Sequence, residues 1–335
     1  MKKFFFSVVA LCVATVGMAQ SSMLATLSHE GEISTYYGAR ALVEAYNAAA
    51  NGDVITLSSG SFVCTNIEKG LTIRGAGMAV DSTAQTEPTV ITGDFTINIP
   101  DSVTSRLTLE GIYHNHTITY SGTLKNATFI KDRFKEIYNN SAVDEVQNLT
   151  MINCRVSNAL QCGNNSSISC VNCVVWEPNG YSSTTSNFEF ANCILYRNDW
   201  DTGGAPESSS FKNCFIHTDR NYHLKPSNTA YNCVSNYANM FEEMPNTTNK
   251  GGKQYEDIYK TFRGTYNDNE LFELTDGAKT AFLGLDGKEA GIYGGMMPYS
   301  STPTNPQITK CNVAAKSTAD GKLSVDITVG SSDAE

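Results

Sequence analysis

Residues 151–156 read MINCRV, and close variants of this phrase recur along the middle of the chain. Each copy has six positions, of which the first and the last are mostly apolar. The second and fifth positions vary, the third is Asn, and the fourth is Cys or Ala. The copies are LKNATF (124–129), MINCRV (151–156), CVNCVV (170–175), FANCIL (190–195), FKNCFI (211–216) and AYNCVS (230–235). From Asn153 onward, consecutive asparagines are 19, 20, 21 and 19 residues apart. Because no helix-length segment separates the copies, this period predicts a β-solenoid with one copy in each coil.

The asparagine and the residue after it suit a tight turn between two strands. Asn tolerates the left-handed backbone region that such a turn requires. When coils stack about 4.8 Å apart, asparagine amides of neighbouring coils can form a ladder of hydrogen bonds. The next side chain turns into a narrow corner, where Cys or Ala is small enough to pack. The predicted ladder is Asn126, Asn153, Asn172, Asn192, Asn213 and Asn232, with Cys154, Cys173, Cys193, Cys214 and Cys233. The longer step from Asn126 to Asn153 predicts an insertion at about residues 131–147.

The same rhythm continues upstream with glycine at the turn. Gly75, Gly93 and Gly111 are spaced 18 residues apart, and glycine meets the same backbone requirement without a side chain. Further upstream, residues 39–51 have apolar residues at helical spacing, and Gly52 is a suitable C-cap. We therefore expect an N-terminal helix that covers the open end of the solenoid.

These segments resemble the pectate-lyase-like superfamily of right-handed parallel β-helices. The resemblance rests on residues 41–60, on LTIRGAG at 71–77 and on the Asn-Cys copies. The glycine-rich phrase at 284–295 is similar to the last coil of secreted, uncharacterised β-helix proteins of Bacteroidetes. Over residues 36–299 the resemblance implies an all-β, right-handed parallel β-helix. It implies no single activity, because this fold carries lyases, hydrolases, adhesins and proteins of unknown role.

The two ends of the chain predict export and a short tail. Residues 1–19 combine Lys2 and Lys3 with an apolar stretch and small residues, which is typical of a signal peptide. No later apolar run has the roughly 20 residues of a membrane span. We expect a β-helix domain at 20–299, then a linker and C-terminal β tail at 300–335, and a periplasmic, outer-surface or extracellular location. In the tail, Leu323, Val325, Ile327 and Val329 alternate as in a strand.

The charge of the chain disfavours nucleic acid as a partner. The formal net charge is −10, and removal of Lys2 and Lys3 with the signal peptide makes it −12. No basic stripe compensates for this acidity, so phosphate backbones are repelled.

The nine cysteines beyond residue 19 are expected to be mostly buried and reduced. Cys170 and Cys173 have the spacing of zinc ligands, but structural zinc requires four converging ligands, so no metal site is predicted. Cysteines stacked about 4.8 Å apart are farther from one another than the Cβ separation of a disulfide. Disulfides along the ladder are the less favoured alternative.

Three aromatic side chains follow the ladder on consecutive coils and are candidate substrate-binding residues. Trp176, Tyr196 and His217 each lie four residues after a ladder asparagine. Alternation along a strand predicts that they point outward, together with the residues two after the asparagine. Such a strip could stack on sugar rings or bind a protein partner. Alternatively, the C-terminal tail or an insertion covers it, because large exposed apolar patches are rare on monomers.

Acid–base candidates follow these strands. They are Arg197, Asp199, Asp201, Asp219, Arg220 and His223. Two carboxylates could hydrolyse a glycosidic bond, or an aspartate-bound Ca²⁺ and a basic residue could abstract a proton in a lyase. The paired aspartates and Gly-His-Gly segment of β-helix hydrolases are absent, and so is a clear lyase pattern. A solvated turn accounts for the same residues.

The first functional hypothesis is an exported, non-catalytic β-helix protein that binds glycans at the cell surface or in the periplasm. A polysaccharide lyase or glycosidase acting on acidic, plant or host glycans is the second, and a structural surface protein with a protein partner is the third. No cofactor is expected, and Ca²⁺ belongs only to the lyase alternative. A polysaccharide or surface glycan is the expected partner, and the sequence leaves the oligomeric state open.

Overall fold

The computed structural model describes residues 23–80, 86–139, 141, 144–180, 186–197, 205–220, 223–244, 248–302, 307–313, 316–318 and 320–330. The signal-peptide prediction therefore falls outside the described residues. The fold is all-β, with parallel sheets stacked as a solenoid of about 8 turns and only 7% helix. The predicted parallel β-solenoid is confirmed.

Short strands dominate the described chain, and short helices lie before and after the solenoid coils. The strands are β1 (Leu24–His29), β2 (Glu32–Tyr37), β3 (Val54–Leu57), β4 (Gly60–Val63), β5 (Thr72–Arg74), β6 (Thr89–Thr92), β7 (Phe95–Ile97), β8 (Thr108–Glu110), β9 (Ile112–Tyr120), β10 (Thr123–Lys125), β11 (Thr128–Ile130), β12 (Arg133–Tyr138), β13 (Glu145–Gln147), β14 (Leu149–Ile152), β15 (Arg155–Cys162), β16 (Ser167–Val171), β17 (Val174–Trp176), β18 (Pro178–Gly180), β19 (Asn187–Ala191), β20 (Ile194–Tyr196), β21 (Ser210–Lys212), β22 (Phe215–His217), β23 (Thr229–Tyr231), β24 (Val234–Ser235), β25 (Gln307–Val313) and β26 (Val325–Gly330). The helices are α1 (Ala41–Ala48), α2 (Tyr255–Ile258) and α3 (Asp276–Ala281).

Two large sheets run along the solenoid. The first sheet has the strand order β2-β1-β3-β5-β8-β11-β14-β16-β19-β21-β23. The second sheet has the order β24-β22-β20-β17-β15-β12-β9-β6-β4, and β7 and β18 pair with β9 and β15 beside it. From β3 onward the pairings within both sheets are parallel, whereas β1 is antiparallel to both β2 and β3.

The N-terminal end of the solenoid carries the predicted helix and an additional hairpin. The helix predicted at residues 39–51 is present as α1 and is shorter at both ends. Its Leu42 and Ala45 are buried in the interior core of the solenoid. The hairpin β1–β2 extends the first sheet at this end. Because this hairpin is antiparallel, the solenoid repeat gave no signal for it.

Alternating side chains of both sheets fill the interior. Phe188, Phe190 and Phe211 form one continuous stack, with ring centroids 5.4 and 5.3 Å apart. All three are at most 1% exposed, and full burial of such a side chain contributes roughly 1.5–3 kcal/mol. Similar side chains recur in successive coils because aligned positions meet the same surroundings.

The ladder occupies the corner between the two sheets. The strand register places five asparagines above one another, all with backbone φ between 51° and 56°. They are Asn153, Asn172, Asn192, Asn213 and Asn232. The Asn213 side-chain amide donates to Oδ1 of Asn192 over 2.8 Å. The following cysteines are 0% exposed, and the described cysteines are free thiols.

Asn126 does not belong to this ladder. It follows β10, which pairs with β13, and its Oδ1 accepts a hydrogen bond from the Asn148 amide at 3.3 Å. The register of β11 with β14 instead places Lys131, with φ 53°, next to Asn153. The 27 residues from Asn126 to Asn153 therefore separate two different corners of the coil. The predicted insertion at residues 131–147 is wrong. That segment contains β12 and β13, which are ordinary strands of the coil.

The three upstream glycines are also divided between corners. Gly111 follows β8 in the first sheet and lies in register with Gly75. Gly93 follows β6 in the second sheet. Their equal spacing of 18 residues therefore did not identify a single ladder position.

The region after the last coil forms a covering layer, which we call the outer cover and define as residues 255–299. It contains α2, α3 and the glycine-rich phrase at 284–295. The expectation that this phrase forms a last coil is wrong, because its apolar residues pack on the outside of the second sheet. The tail forms an antiparallel hairpin of β25 and β26. Among the described residues, no helix is both long and apolar enough to cross a membrane.

Candidate binding groove

The outward strip of the second sheet is buried under the outer cover. Val174, Ile194 and Phe215 form an apolar cluster with residues of the cover, separate from the interior core. Trp176 and Tyr196 stack on each other with centroids 4.5 Å apart and an interplanar angle of 9°. Their outward direction is as expected, and the alternative in which another segment covers the strip is the one observed. The covering segment is residues 255–299, which precede the tail at 300–335.

The three candidate sugar-binding side chains differ in how completely they are covered. His217 is 0% exposed and Tyr196 is 8% exposed, while Trp176 is half-buried and contacts Phe262 and Tyr266 of the outer cover. A platform for sugar stacking requires an accessible ring face. The packing therefore argues against this role for all three residues, above all for His217.

Aromatic residues of the cover surround His217. The Tyr259 hydroxyl lies 2.7 Å from Nε2 of His217, and the Tyr255 ring centroid lies 5.1 Å from that of His217. Burial lowers the pKa of His217 to about 3, because a charged imidazolium is disfavoured away from water. These partners were not predicted from the sequence, although aromatic residues at 255, 259, 262 and 266 repeat at three- and four-residue spacing.

The glycine-rich phrase is anchored on the asparagine ladder. Asn172 Nδ2 donates to the carbonyl oxygens of Ile292 and Gly294 over 2.7 and 2.8 Å. Asn213 Oδ1 accepts from the Leu285 backbone N–H at 3.0 Å. A Cβ on Gly295 would lie 2.0 Å from Nδ2 of Asn192. The glycines therefore allow the backbone of the cover to approach the ladder closely.

The acid–base candidates occupy different environments. Asp199 and Asp201 lie outside the described residues. Arg197 is 5% exposed and donates to the Pro178 carbonyl over 2.9 Å, so its guanidinium is held inside the structure. Asp219 and Arg220 are exposed.

His223, the last of these candidates, lies beside two acidic side chains. Its Nδ1 is 3.3 Å from Glu242 and its Nε2 is 3.6 Å from Glu243. Asp219 contributes, after burial, to raising the pKa of Tyr196. The contacts described for Arg197 and His223 are thus a buried structural hydrogen bond and ion pairs with surface carboxylates.

An open groove lies farther along the second sheet, at the edge of the outer cover. We call it the polar groove, and it has a volume of about 840 Å³. Its lining is dominated by amide, hydroxyl and charged side chains. The lining residues are Asn115, Lys135, Ser157, Asn158, Thr261, Arg263, Thr265, Tyr266, Asn267, Asp268 and Glu270.

The floor of the polar groove is built on two stacked β-bulges. The register shifts between Phe134 and Glu136 relative to both neighbouring strands. As a result, two residues of β9 and two of β15 lie opposite the single Lys135. Bulges re-aim side chains and occur often beside functional sites. A bulge depends on the register between strands, so the sequence of one strand gave no signal for it.

The carboxylates of the groove are held by structural contacts. Asp268 pairs with Arg133, and Glu270 Oε1 accepts from Thr261 Oγ1 and the Phe272 N–H over 2.5 and 3.1 Å. Lys135 is exposed and, among the described residues, has no carboxylate oxygen within 4.0 Å.

This arrangement offers several donors and one uncompensated ammonium group to a ligand. Within the described part of the chain, no three His, Cys, Asp or Glu side chains are placed to hold a metal ion.

The chain was compared with protein families, curated proteins and solved structures. No family model, curated protein or solved structure matches the chain. The parallel solenoid of about 8 turns is consistent with a β-helix superfamily, and no match supports a narrower relationship.

Proposed function

We propose that the protein is an exported, non-catalytic solenoid that binds an extended glycan in the polar groove. The observation that carries this proposal is the groove's lining of amides and hydroxyls on stacked bulges. Sugar hydroxyls both donate and accept hydrogen bonds, and such a lining matches them. Openness along one edge of the solenoid suits a polymer, whose chain must continue beyond the bound segment.

The state of the acidic groups favours binding over cleavage. Glycoside hydrolysis needs one carboxyl group as an acid and a second as a base or nucleophile. In the polar groove, Asp268 is paired with Arg133, and Glu270 accepts two hydrogen bonds within the cover. The likeness to pectate-lyase-like proteins and an origin in Bacteroidetes belong to the same proposal and rest on the sequence phrases alone.

A glycan array with matched lysine variants tests the proposal. We expect the wild-type protein to bind one class of polysaccharide, and the double variant Lys135→Ala/Asn158→Ala to lose at least about tenfold in affinity. Lys125→Ala is the control, because Lys125 is an exposed lysine paired with Asp101 away from the groove. Absence of any hit, or equal binding of the same glycans by the wild type and the double variant, would overturn the groove as the binding site.

The enzyme alternative is tested on the same polysaccharides. A lyase produces an unsaturated product whose absorbance rises near ~235 nm, and a glycosidase releases reducing ends. We expect neither signal. Either signal, if lost in the double variant, would replace the binding proposal with a catalytic one at the same groove.

A further inference from the structure

A second cavity lies on the other side of Asp268 from the polar groove and has a volume of about 460 Å³. We call it the arginine cavity. Its lining includes Met78, Val80 and Pro88, together with Leu271 and Tyr299 of the outer cover. Val80 is 62% exposed and Leu271 is 56% exposed. The cavity therefore offers an apolar, accessible surface large enough for a small ligand.

Two arginines from adjacent coils also line this cavity. Arg133 and Arg155 are direct neighbours in the register of β12 and β15. Arg133 pairs with Asp268 and lies over the Tyr113 ring, 4.3 Å from its centroid. Arg133 therefore already has a counter-ion, and Arg155 is the decisive residue.

Arg155 is a buried cation whose hydrogen-bond acceptors are all neutral. It is 5% exposed, and its guanidinium donates to the Tyr299 hydroxyl and to the carbonyl oxygens of Asp268 and Glu270, over 2.7, 3.3 and 2.7 Å. A guanidinium has five N–H donors. One N–H on each of its two terminal nitrogens thus has no acceptor among the described residues. Within the same residues, no carboxylate oxygen lies within 4.0 Å of it.

Such a group attracts an anion. Burying an unpaired charge is costly, and a carboxylate that reaches it exchanges its hydration for charge-assisted hydrogen bonds. Two free N–H donors match the two oxygens of one carboxylate. The Arg155 guanidinium lies 5.1 Å from the Tyr299 ring centroid and 5.6 Å from that of Phe272, so aromatic faces stabilise it without neutralising its charge. A single positive charge without a carboxylate partner suits a monoanion better than a phosphate dianion. Most of the accessible lining is apolar, which suits a ligand whose remainder is hydrocarbon.

We propose that the arginine cavity binds a medium-chain fatty acid, with its carboxylate on Arg155 and its alkyl chain against Val80, Pro88 and Leu271. This site is independent of the glycan proposal, because Lys135 and Asn158 do not line it. Loss of one activity therefore leaves the other measurable. Arg155 has a second role, since its hydrogen bonds also hold the outer cover on the solenoid.

Calorimetric titration of the protein, expressed without residues 1–19, with octanoate tests this site. The uncharged probe of equal chain length is 1-octanol. We expect octanoate to bind and 1-octanol to bind at least about tenfold more weakly. Leu271→Asp adds a negative charge to an exposed wall and should weaken octanoate binding at least about tenfold. Leu285→Asp is the matched control, because Leu285 is 64% exposed and lies outside the cavity. It should bind like the wild type.

Arg155→Gln should abolish octanoate binding, and its thermal unfolding shows whether the cover remains folded. If that variant unfolds, Leu271→Asp decides the question. Absence of octanoate binding to the wild type, or equal binding by octanoate and 1-octanol, would overturn the proposal. Equal affinities of the two leucine variants would overturn it as well. Lys135→Ala should leave octanoate binding unchanged, which separates this result from failure of the polar groove.

Discussion

The hydroxyl of Tyr259 lies 2.7 Å from Nε2 of His217, and both side chains are 0% exposed. One residue ends a strand of the solenoid and the other belongs to the outer cover, so this hydrogen bond joins two layers of the molecule. In the apolar surroundings formed by Phe215 and Phe262, this hydrogen bond satisfies the Tyr259 hydroxyl and Nε2 of His217, and Asn236 supplies a further hydrogen bond to His217.

Removal of the Tyr259 hydroxyl should therefore destabilise the protein. We expect Tyr259→Phe to lower the free energy of unfolding by about 1–3 kcal/mol, because the buried His217 loses its hydrogen bond with the Tyr259 hydroxyl. Urea denaturation measures this change. Tyr255→Phe is the control, since no residue that the structure describes forms a hydrogen bond with the Tyr255 hydroxyl. Equal losses in the two variants would contradict the assigned role.

Acid should weaken the attachment of the cover through His217. Its pKa is about 3 in the folded protein and about 6.5 in an unfolded chain. The stability that depends on a neutral His217 is fully present above pH 6.5 and is lost as the pH falls toward 3. In this range the unfolded state binds a proton at His217 and the folded state does not. At pH 5 the loss is on the order of 2 kcal/mol.

The pH effect is measured by urea denaturation at pH 7 and pH 5. His217→Gln should show a smaller difference between the two pH values than the wild type. Burial also lowers the pKa of His114, so part of the pH dependence should remain. Tyr255→Phe provides a control, because it keeps both buried histidines, and it should keep the wild-type difference. A wild-type difference in His217→Gln would be inconsistent with the buried neutral imidazole.

Two glycines of the cover allow the ladder contact to be isolated. Gly295 and Gly287 both have φ of 76°, but a Cβ on Gly295 would meet Asn192 and one on Gly287 would meet nothing within 4 Å. Alanine at either position incurs backbone strain of roughly 1–2 kcal/mol. Gly295→Ala should lose additional stability, measured as the midpoint of thermal unfolding. Similar midpoints in both variants would mean that the cover does not rest on the ladder as described.

The cysteine ladder should be chemically silent in the folded protein. We expect Cys64, the one half-buried thiol among the described cysteines, to react first with a maleimide in a Cys311→Ser background. The buried ladder thiols should react only after denaturation, because reagents reach them only when the solenoid opens. Mass spectrometry of the labelled peptides distinguishes these positions. Rapid labelling of Cys173 in the native protein would contradict the packing.

The repeat made the solenoid and most of its ladder predictable from sequence. Each coil places the same side chain in the same surroundings, so one local phrase carries the requirement for left-handed backbone and a small corner residue. The phrase failed at Asn126, because a second corner has the same backbone requirement and accepts the same residue. Only the pairing of β11 with β14 distinguishes the two corners.

The candidate sites were much less predictable. His217 and Tyr259 are 42 residues apart in sequence, and nothing in either local pattern names the other as its partner. The polar groove depends on register shifts between three strands. The environment of Arg155 is set by carbonyl groups and the Tyr299 hydroxyl, more than 110 residues away. Repetition therefore revealed the coil, whereas contacts made once in the chain determine the surface.

The position of the outer cover after the last coil has a consequence for folding during synthesis. Val174, Ile194 and Phe215 emerge well before residues 255–299, which bury them. A nascent solenoid thus exposes this apolar row and the unpaired edge strand of the second sheet at the same time. Partly made chains carry the surfaces that favour self-association. Synthesis of the outer cover then buries the apolar row and removes this tendency to self-associate.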